Sequence, residues 1–483
     1  MAENLEKTNH YRNCIDMVEL RVDHLEKDER LHIRRFPEMA GLPCILTIRR
    51  KIDGGCFLEG ESTRTTLFAR GLAFAEQDTR KNFAFIDFEE DFHVPSLQDA
   101  ALAFGTRIIR SAHDMTGTIT NIPSRLAKMR TTGFEIPKIA CMPKTLADVT
   151  RMFKECEDLK DTEQIICAMG PLGLPTRILA SRLNSFLTFT SSEESSLVKT
   201  VGHIDPFTMT EIYNFHHIND ETQIFGITGF PLAVTDSPKI HNLGYRLHNM
   251  NAVYIPVRSQ NPAETIEFAN ALGMKGLSVT VPHKETIIHD LYRVSEKVEE
   301  TGACNTIVRQ ENAWHGYNTD VKGISMAVKE FLGVKNLFGK RVAIIGAGGA
   351  AKAVAYAVKQ LKGKACIFNR TVLKAKQLAE NFGYKWAPLS YESISLIERY
   401  SDLIIQTTSK GMGATLPFTE ENDPLYFYDF KGHEALYDIV YMPEVTPIMS
   451  RAKAAGCSVA NGKSMLEYQA YEQFKLFTGA DYK

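Results

Sequence analysis

Short apolar runs rich in Ile, Val, Phe and Leu alternate with polar, helix-length stretches from residue 17 to about residue 190. The runs are MVELRVD (17–23), CILTIRR (44–50), FAFIDFE (83–89), RIIRSAHD (107–114), FEIPKIACM (134–142), EQIICAMG (163–170) and SFLTFT (185–190). Their spacing of roughly 20–40 residues predicts repeated strand–helix units around a parallel sheet. Charged residues collect toward the C-terminal ends of the runs: Glu19 with Arg21, Arg49, Glu89, His113 with Asp114, and Lys138. In a parallel barrel those ends form the active-site face, so polar groups there predict chemistry. Seven runs are visible where an eight-stranded barrel needs one more. The stretch before Met17, LEKTNHYRNCID, patterns as a polar helix with no strand ahead of it. Either a first strand is missing or the barrel closes in an unusual way; a complete barrel would take about 20 more residues ahead of Met17.

Residues 191–206 (SSEESSLVKTVGHIDP) pattern as a loop and 209–219 (MTEIYNFHHIN) as a helix. A second region opens with the strand TQIFGITG (222–229), which sets a boundary near 215–221. Strand patterns follow at 252–257, 276–282 and 304–310, then a linking helix near 322–333. The remaining strand patterns are RVAIIGAGGAA (341–351), KACIFNRT (364–371), DLIIQTTS (402–409) and ALYDIVY (435–441).

Length and composition narrow the class. At ~100–200 residues per domain, 483 residues imply two to four domains. A hydrophobic fraction of 44% with 24% charged residues is ordinary for globular chains and excludes a disordered, collagen-like or coiled-coil protein. The net charge of -2 gives no reason to expect a nucleic-acid or membrane partner. The nine cysteines are odd in number, none at C-x-x-C spacing, so neither a disulfide framework nor a metal site is expected. The N-terminal stretch has no apolar core of a signal peptide, and the most apolar segment, 342–358, is broken by Lys352 and glycines. These features predict a cytoplasmic, reduced location.

The second half carries the denser set of motifs. VAIIGAGGAA runs from a strand into G-x-G-x-x-A at Gly346, Gly348 and Ala351, and a helix pattern follows. Such a turn lets backbone approach a dinucleotide pyrophosphate at a helix N-terminus. The next strand ends in Asn369, Arg370 and Thr371 rather than in an acidic residue, which favours a ribose 2′-phosphate and so NADP(H) over NAD. Upstream, Thr235, Ser237, Thr280, Lys284, Asn305 and Asp320 all stand at strand ends or turns. A lysine beside an aspartate can relay a proton to a carbonyl oxygen as hydride arrives. GFPLAVTDSPKIHN, GLSVTVPHK, GACNTIV, GYNTDVKG, GAGGAAKA, NRT, YDIVYMPEVTP and GKSMLEYQA together resemble the shikimate dehydrogenase family from residue 222 onward, in family order. The resemblance implies that Lys284 and Asp320 are the catalytic pair and that Thr235 and Ser237 hold the substrate carboxylate. It implies ring-hydroxyl contacts from Thr280, Asn305 and Gln469, with Tyr441 lining the site. It places Gly346, Ala347, Gly348, Gly349, Ala350, Asn369, Arg370 and Thr371 on the cofactor. Thr235 stands where the family usually has Ser, Gln406 replaces an Asn, and Lys410 follows Ser409; the last two lie on the nicotinamide side.

In the first half, Lys138 lies inside the apolar strand IPKIACM, where burial should lower its pKa and favour the free amine that forms a Schiff base. His113 can serve as a general base, and Arg21, Arg49 and Arg177 can clamp a carboxylate. VELRVD, LTIRRKIDGG, SAHDMTGT, IPKIACMP and MGPLGLPTR resemble the type I 3-dehydroquinate dehydratase family over roughly residues 10–205. That resemblance implies a (β/α)8 TIM barrel in which Lys138 forms the imine and His113 removes the adjacent proton. Glu19, Arg21, Arg49, Arg177 and His203 would position the substrate. Asp53 stands where the family carries a Glu that assists His113. The substrate-covering loop reads Val201-Gly202-His203 where the family has P-G-Q, and Lys199 replaces a serine.

The expected architecture is therefore α/β: a barrel (1–215), a dehydrogenase substrate domain (222–325, completed by a helix at 464–480) and a Rossmann domain (326–463). Joined in this order, the halves resemble the fused dehydratase–dehydrogenases of plants and chlamydia-like bacteria. The expected function is dehydration of 3-dehydroquinate to 3-dehydroshikimate, then NADPH-dependent reduction to shikimate. The rival readings are a quinate- or shikimate-binding sensor built from the same domains and a quinate-preferring dehydrogenase.

Overall fold

The structure is a computed structural model that describes residues 1–73, 79–159, 162–191, 202–232, 235–414 and 417–482. Lys199 and Val201, singled out in the sequence, lie outside the described residues. The chain divides into two compact units, one of residues 1–224 with 249–274 and one of residues 225–248 with 275–483.

The first unit holds β1 (Val18–Arg21), β2 (Cys44–Thr47), β3 (Phe85–Glu89), β4 (Arg107–Asp114), β5 (Glu135–Cys141) and β6 (Ile165–Ala168). All six are parallel and neighbour one another in chain order, the winding of a (β/α)8 barrel. Period-2 alternation then assigns each side chain to one face. One face carries Leu20, Leu46, Phe88 and Ile108, buried with the outer helices. The other begins with an apolar layer of Ile45, Phe85, Ile109, Ile136 and Ile165. One step up each strand, the same face turns polar with Thr47, Asp87, Ser111 and Lys138. The apolar layer is thus a floor, and the charged residues stand on it.

The expected seventh strand, residues 185–190, is a correction: only an isolated bridge, Gln164 to Ser185, forms there. Phe186, Leu187 and Phe189 instead pack against the apolar floor. Their apolar spacing mimics a strand, but the side chains fill the interior. The expected helix at 209–219 is two short turns, Thr208–Ile212 and Phe215–His217. The helix after β5, Leu146–Cys156, starts on a capping box in which Thr145 and Asp148 satisfy each other's backbone amides. Residues 249–274, read from sequence as part of the 222–325 segment, belong to this unit, and their helix Pro262–Ala271 packs on Leu146–Cys156 through Phe268 and Phe153. They also contain β8 (Ala252–Arg258).

The second unit contains β7 (Gln223–Gly229), β9 (Gly276–Val279), β10 (Arg293–Val294), β11 (Thr306–Gln310) and β12 (Ala313–Tyr317), ordered β10–β12–β11–β9–β7. Its other sheet is wholly parallel: β13 (Arg341–Ile345), β14 (Lys364–Asn369), β15 (Lys385–Pro388), β16 (Leu403–Gln406), β17 (Ala435–Asp438) and β18 (Ser458–Ala460). The order β15–β14–β13–β16–β17–β18 reverses between β13 and β16, which is where a doubly wound sheet opens a crevice for ligand. Helices Asp320–Leu332 and Lys463–Thr478 touch at Gly323, where a Cβ would lie 2.9 Å from that of Gln469. That close approach carries Gln469 toward Asp320.

Candidate functional site

The ends of β1 to β6 and the segments after them supply the first constellation. Lys138 is buried on β5, and its Nζ donates to Asp87 Oδ2 at 2.9 Å. The Phe189 ring lies 4.4 Å below the same nitrogen. Arg49 binds Asp87 at 2.7 Å, Glu89 at 2.8 Å and the Ser111 hydroxyl at 2.9 Å. Glu89 is held from its other side by the buried Arg64. Arg21 forks onto Asp23 at 2.9 and 2.7 Å, and Glu19 accepts from the Thr47 hydroxyl at 2.7 Å. Buried Arg177 donates to the Phe189 carbonyl at 3.3 Å. Arg21, Arg49, Arg64, Lys138 and Arg177 therefore face Glu19, Asp23, Asp87 and Glu89.

These charges set the two histidines. Burial, then the positive charges of Arg49 and Lys138, drive His113 well below its ordinary 6.5. Its Nδ1 has no hydrogen-bond partner among the described residues. His203 is pushed down to about 3 by burial and by Arg177, Arg21 and Lys138. Both imidazoles are therefore neutral, able to accept a proton without first losing one. Burial alone would raise the Asp87 carboxyl, but Arg49, Lys138, His113 and the Ser111 hydroxyl hold it well below the usual carboxylate range. Asp53 lies on the turn Lys51–Asp53, bound at 2.6 Å by Arg50, which also forks onto Asp91. No described hydrogen bond joins Asp53 to His113.

The second constellation lies in the second unit. Lys284 Nζ donates to Asp320 Oδ2 at 2.5 Å, and Asn305 Nδ2 donates to Asp320 Oδ1 at 2.9 Å. Asn305 also reaches Thr319 Oγ1 at 2.9 Å and Gln469 Oε1 at 3.4 Å, so both oxygens of Asp320 have donors. Thr235 and Ser237 bring their hydroxyls within 3.1 Å, and the Tyr441 hydroxyl donates to Thr235 at 3.4 Å. Thr280 follows β9, and its backbone amide donates to Thr228 at 2.9 Å.

The turn after β13 fits a dinucleotide. Gly346 has φ +115, a left-handed value that disfavours a side chain, and a Cβ there would meet Thr407 Oγ1 at 2.5 Å. A Cβ at Gly348 would meet nothing within 4 Å, which leaves open space above the start of helix Gly349–Gln360. Ala347 and Ala350 complete that small-residue turn. The tightness at Gly346, the space at Gly348 and the helix N-terminus form a cradle for a pyrophosphate. Gly349 lies against the Lys284 methylenes, 3.4 Å from its Cδ to an added Cβ, so the cradle adjoins the Lys284–Asp320 pair. Arg370 is exposed, and Asn369 folds back to the Thr371 carbonyl at 3.0 Å. Gln406 is fully buried and clamps the segment after β16: its Nε2 donates to the carbonyls of Thr408 and Lys410 at 3.1 Å and to Asp438 at 3.2 Å. Burial raises the Asp438 carboxyl to about 7, against donors from Thr446, Val440 and Gln406.

Sequence reading missed Asp87, Ser111, Asp23 and Phe189 as site residues. Asp87 was within reach, since it stands two positions before Glu89 and so shares its face of β3. Phe189 was hidden by the strand expected over 185–190.

Comparison with known proteins finds three family matches along the chain. Residues 1–220 match the type I 3-dehydroquinase family, 227–307 the shikimate dehydrogenase substrate binding domain, and 327–415 the shikimate / quinate 5-dehydrogenase family. The bifunctional 3-dehydroquinate dehydratase/shikimate dehydrogenase of Arabidopsis thaliana, a chloroplastic protein, is 30% identical over 483 residues, covering 96% of this chain and 78% of that protein. The NADP(+) shikimate dehydrogenase of Thermococcus kodakarensis is 37% identical over 261 residues, covering 54% of this chain and 92% of that protein. That of Pyrococcus abyssi is 36% identical over 258 residues, covering 53% and 92%.

Proposed function

The chain belongs to the family of bifunctional 3-dehydroquinate dehydratase/shikimate dehydrogenases, and from that membership and the two constellations we infer how each half works. It is a lyase and an NADP-dependent oxidoreductase on one chain. The first half dehydrates 3-dehydroquinate to 3-dehydroshikimate, and the second reduces that product to shikimate with NADPH. The observation that carries this reading is the survival of two separate lysine-centred sets, Lys138 with His113 and Lys284 with Asp320, each drawn from within one compact unit.

In the dehydratase, Lys138 attacks the substrate ketone and forms an imine. Neutral His113 removes the proton from the adjacent carbon, and the electron pair moves into the iminium, which becomes an enamine. His113, now protonated, returns the proton to the departing hydroxyl, and the enamine electrons expel it as water. Hydrolysis of the imine releases the product. Arg21, Arg49 and Arg177 would hold the substrate carboxylate through their guanidinium groups, with Glu19 positioning the substrate beside them. His203, neutral and beside Arg177 and Arg21, supplies a polar contact at the mouth. Asp53 acts on His113 only if Arg50 releases it.

In the dehydrogenase, bound NADPH supplies a hydride to the ketone carbon. Gly346, Ala347, Gly348, Gly349 and Ala350 would hold its pyrophosphate, and Asn369, Arg370 and Thr371 its 2′-phosphate. Lys284 delivers a proton to the ketone oxygen, with Asp320 fixing the ammonium and Asn305 fixing Asp320. Thr235 and Ser237 offer hydroxyls to the substrate carboxylate, with Tyr441 behind Thr235, and Thr280, Asn305 and Gln469 face the ring hydroxyls.

The domain limits proposed are 1–215, 222–325 with 464–480, and 326–463; residues 249–274, which cluster with the first compact unit, go with the 222–325 domain because they lie inside the substrate binding domain match at 227–307. No helix among the described residues is long and apolar enough to cross a membrane. Nine free cysteines support a reducing compartment, and we place the enzyme in the cytoplasm with its small-molecule substrates and cofactor as partners, and with neither nucleic acid nor membrane. Trapping with 3-dehydroquinate and borohydride tests the dehydratase half: the adduct is expected on Lys138, and an adduct elsewhere, or none, refutes the assignment.

A further inference from the structure

Asp87 stands in none of the motifs that carry the resemblance, yet it touches the Lys138 nitrogen. It is fully buried on β3, and three donors from three other strands or strand ends converge on it: Lys138 Nζ at 2.9 Å, Arg49 Nη2 at 2.7 Å and the Ser111 hydroxyl at 2.5 Å. His113, on the same face of β4 as Ser111, adds the remaining titratable group, and Glu89 sits two residues along β3 on the far side of Arg49.

Condensation of an ammonium with a ketone conserves charge at nitrogen. One ammonium proton passes to the neutral His113 imidazole, and the freed lone pair attacks the carbonyl carbon while the C=O π pair moves to oxygen. A second proton moves from nitrogen to that oxygen. The His113 proton then returns to the resulting hydroxyl, which leaves as water as the nitrogen lone pair forms the C=N bond. Nitrogen begins and ends with one positive charge, and its two lost hydrogens leave in the water. A carboxylate that stays ionised throughout can serve it at both ends. Arg49 remains on Asp87 while the amine is neutral, which keeps the carboxylate ionised and unfit to take the proton itself.

We propose that Asp87 is the fixed counterion of the Lys138 nitrogen, pairing first with the ammonium and then with the protonated imine. The proposal rests on the Schiff-base reading of Lys138. Because a buried cation without its partner is strongly disfavoured, both ends of the step lose stabilisation when Asp87 is neutralised, whereas the groups that grip the substrate carboxylate remain.

The test uses the full chain with 3-dehydroquinate, quenched with borohydride at successive times, and follows the Lys138 adduct by mass spectrometry. Asp87→Asn is expected to slow adduct formation and lower kcat by about 100-fold with KM nearly unchanged, and Asp87→Glu to recover part of the rate. Ser111→Ala, which removes one hydrogen bond from Asp87 and leaves its charge, is expected to slow the adduct by about tenfold and serves should Asp87→Asn not fold. Wild-type adduct rates in Asp87→Asn, or in Ser111→Ala if only that variant folds, overturn the proposal. An adduct absent from Lys138 in the unmodified enzyme refutes the Schiff-base reading instead, so the two failures are distinguishable.

Discussion

At the residue scale the proposed chemistry rests on two lysines, each paired with an aspartate. Lys138 is buried against a carboxylate and an aromatic ring, while Lys284 is held by Asp320 at the edge of the nucleotide cradle. Lys284→Ala is expected to abolish reduction of 3-dehydroshikimate while NADPH binding, followed by fluorescence titration, stays nearly unchanged; unchanged turnover refutes the proton-donor role. Arg370 is exposed and free of described partners, ready for a phosphate. Arg370→Glu is expected to raise KM for NADPH about tenfold or more and leave that for NADH little changed. His113, held well below 6.5, is already neutral when the pH falls through that value. The pH profile of kcat/KM for the dehydratase should therefore show no His113 limb near 6.5. The lysines and glycines were legible in the sequence because their chemistry demands particular residue types beside strand ends. The face of Asp87 was legible from Glu89, but its pairing with Lys138 was not, nor was Phe189, since a carboxylate or a ring becomes a lysine's neighbour only when separate strands and segments meet.

At the scale of elements, alternation along the six barrel strands separates floor from mouth, and the same rule made most of the fold readable. It failed at 185–190, whose Phe186, Leu187 and Phe189 bury inside the barrel without joining a ladder. Short edge strands such as Arg293–Val294 and Lys385–Pro388 were also missed, being too brief or too polar to show a period. The helix Pro262–Ala271 carries buried Phe268 onto Phe153 of the helix that follows the Lys138 strand. Phe268→Ala is expected to lower stability to urea by about 3–5 kcal/mol. The buried Asp438 at the end of β17 has a folded pKa raised to about 7 from 3.8, chiefly by burial. Its protonated form favours the fold, so this contribution is complete below 3.8 and is lost as pH rises toward about 7. Asp438→Asn should remove that loss, and its Tm relative to wild type should increase between pH 4 and pH 8, about the window that the shift spans. A constant difference would show that Asp438 does not titrate there.

For the whole molecule, the residues of each proposed catalytic set lie within one compact unit. Two chemistries in succession on one chain were foreseeable because each half carries its own ordered motifs. The grouping of residues 249–274 with the first unit was not, since nothing in a local pattern announces which neighbour a helix will choose. The central claim is that one chain turns 3-dehydroquinate into shikimate through two independent lysines. The direct measurement mixes purified chain, 3-dehydroquinate and NADPH, and follows nicotinamide absorbance together with the products. The wild-type chain should consume NADPH and accumulate shikimate. Lys138→Ala should do neither from 3-dehydroquinate yet still reduce added 3-dehydroshikimate, and Lys284→Ala should stop at 3-dehydroshikimate. NADPH consumption from 3-dehydroquinate that survives Lys138→Ala would contradict the account.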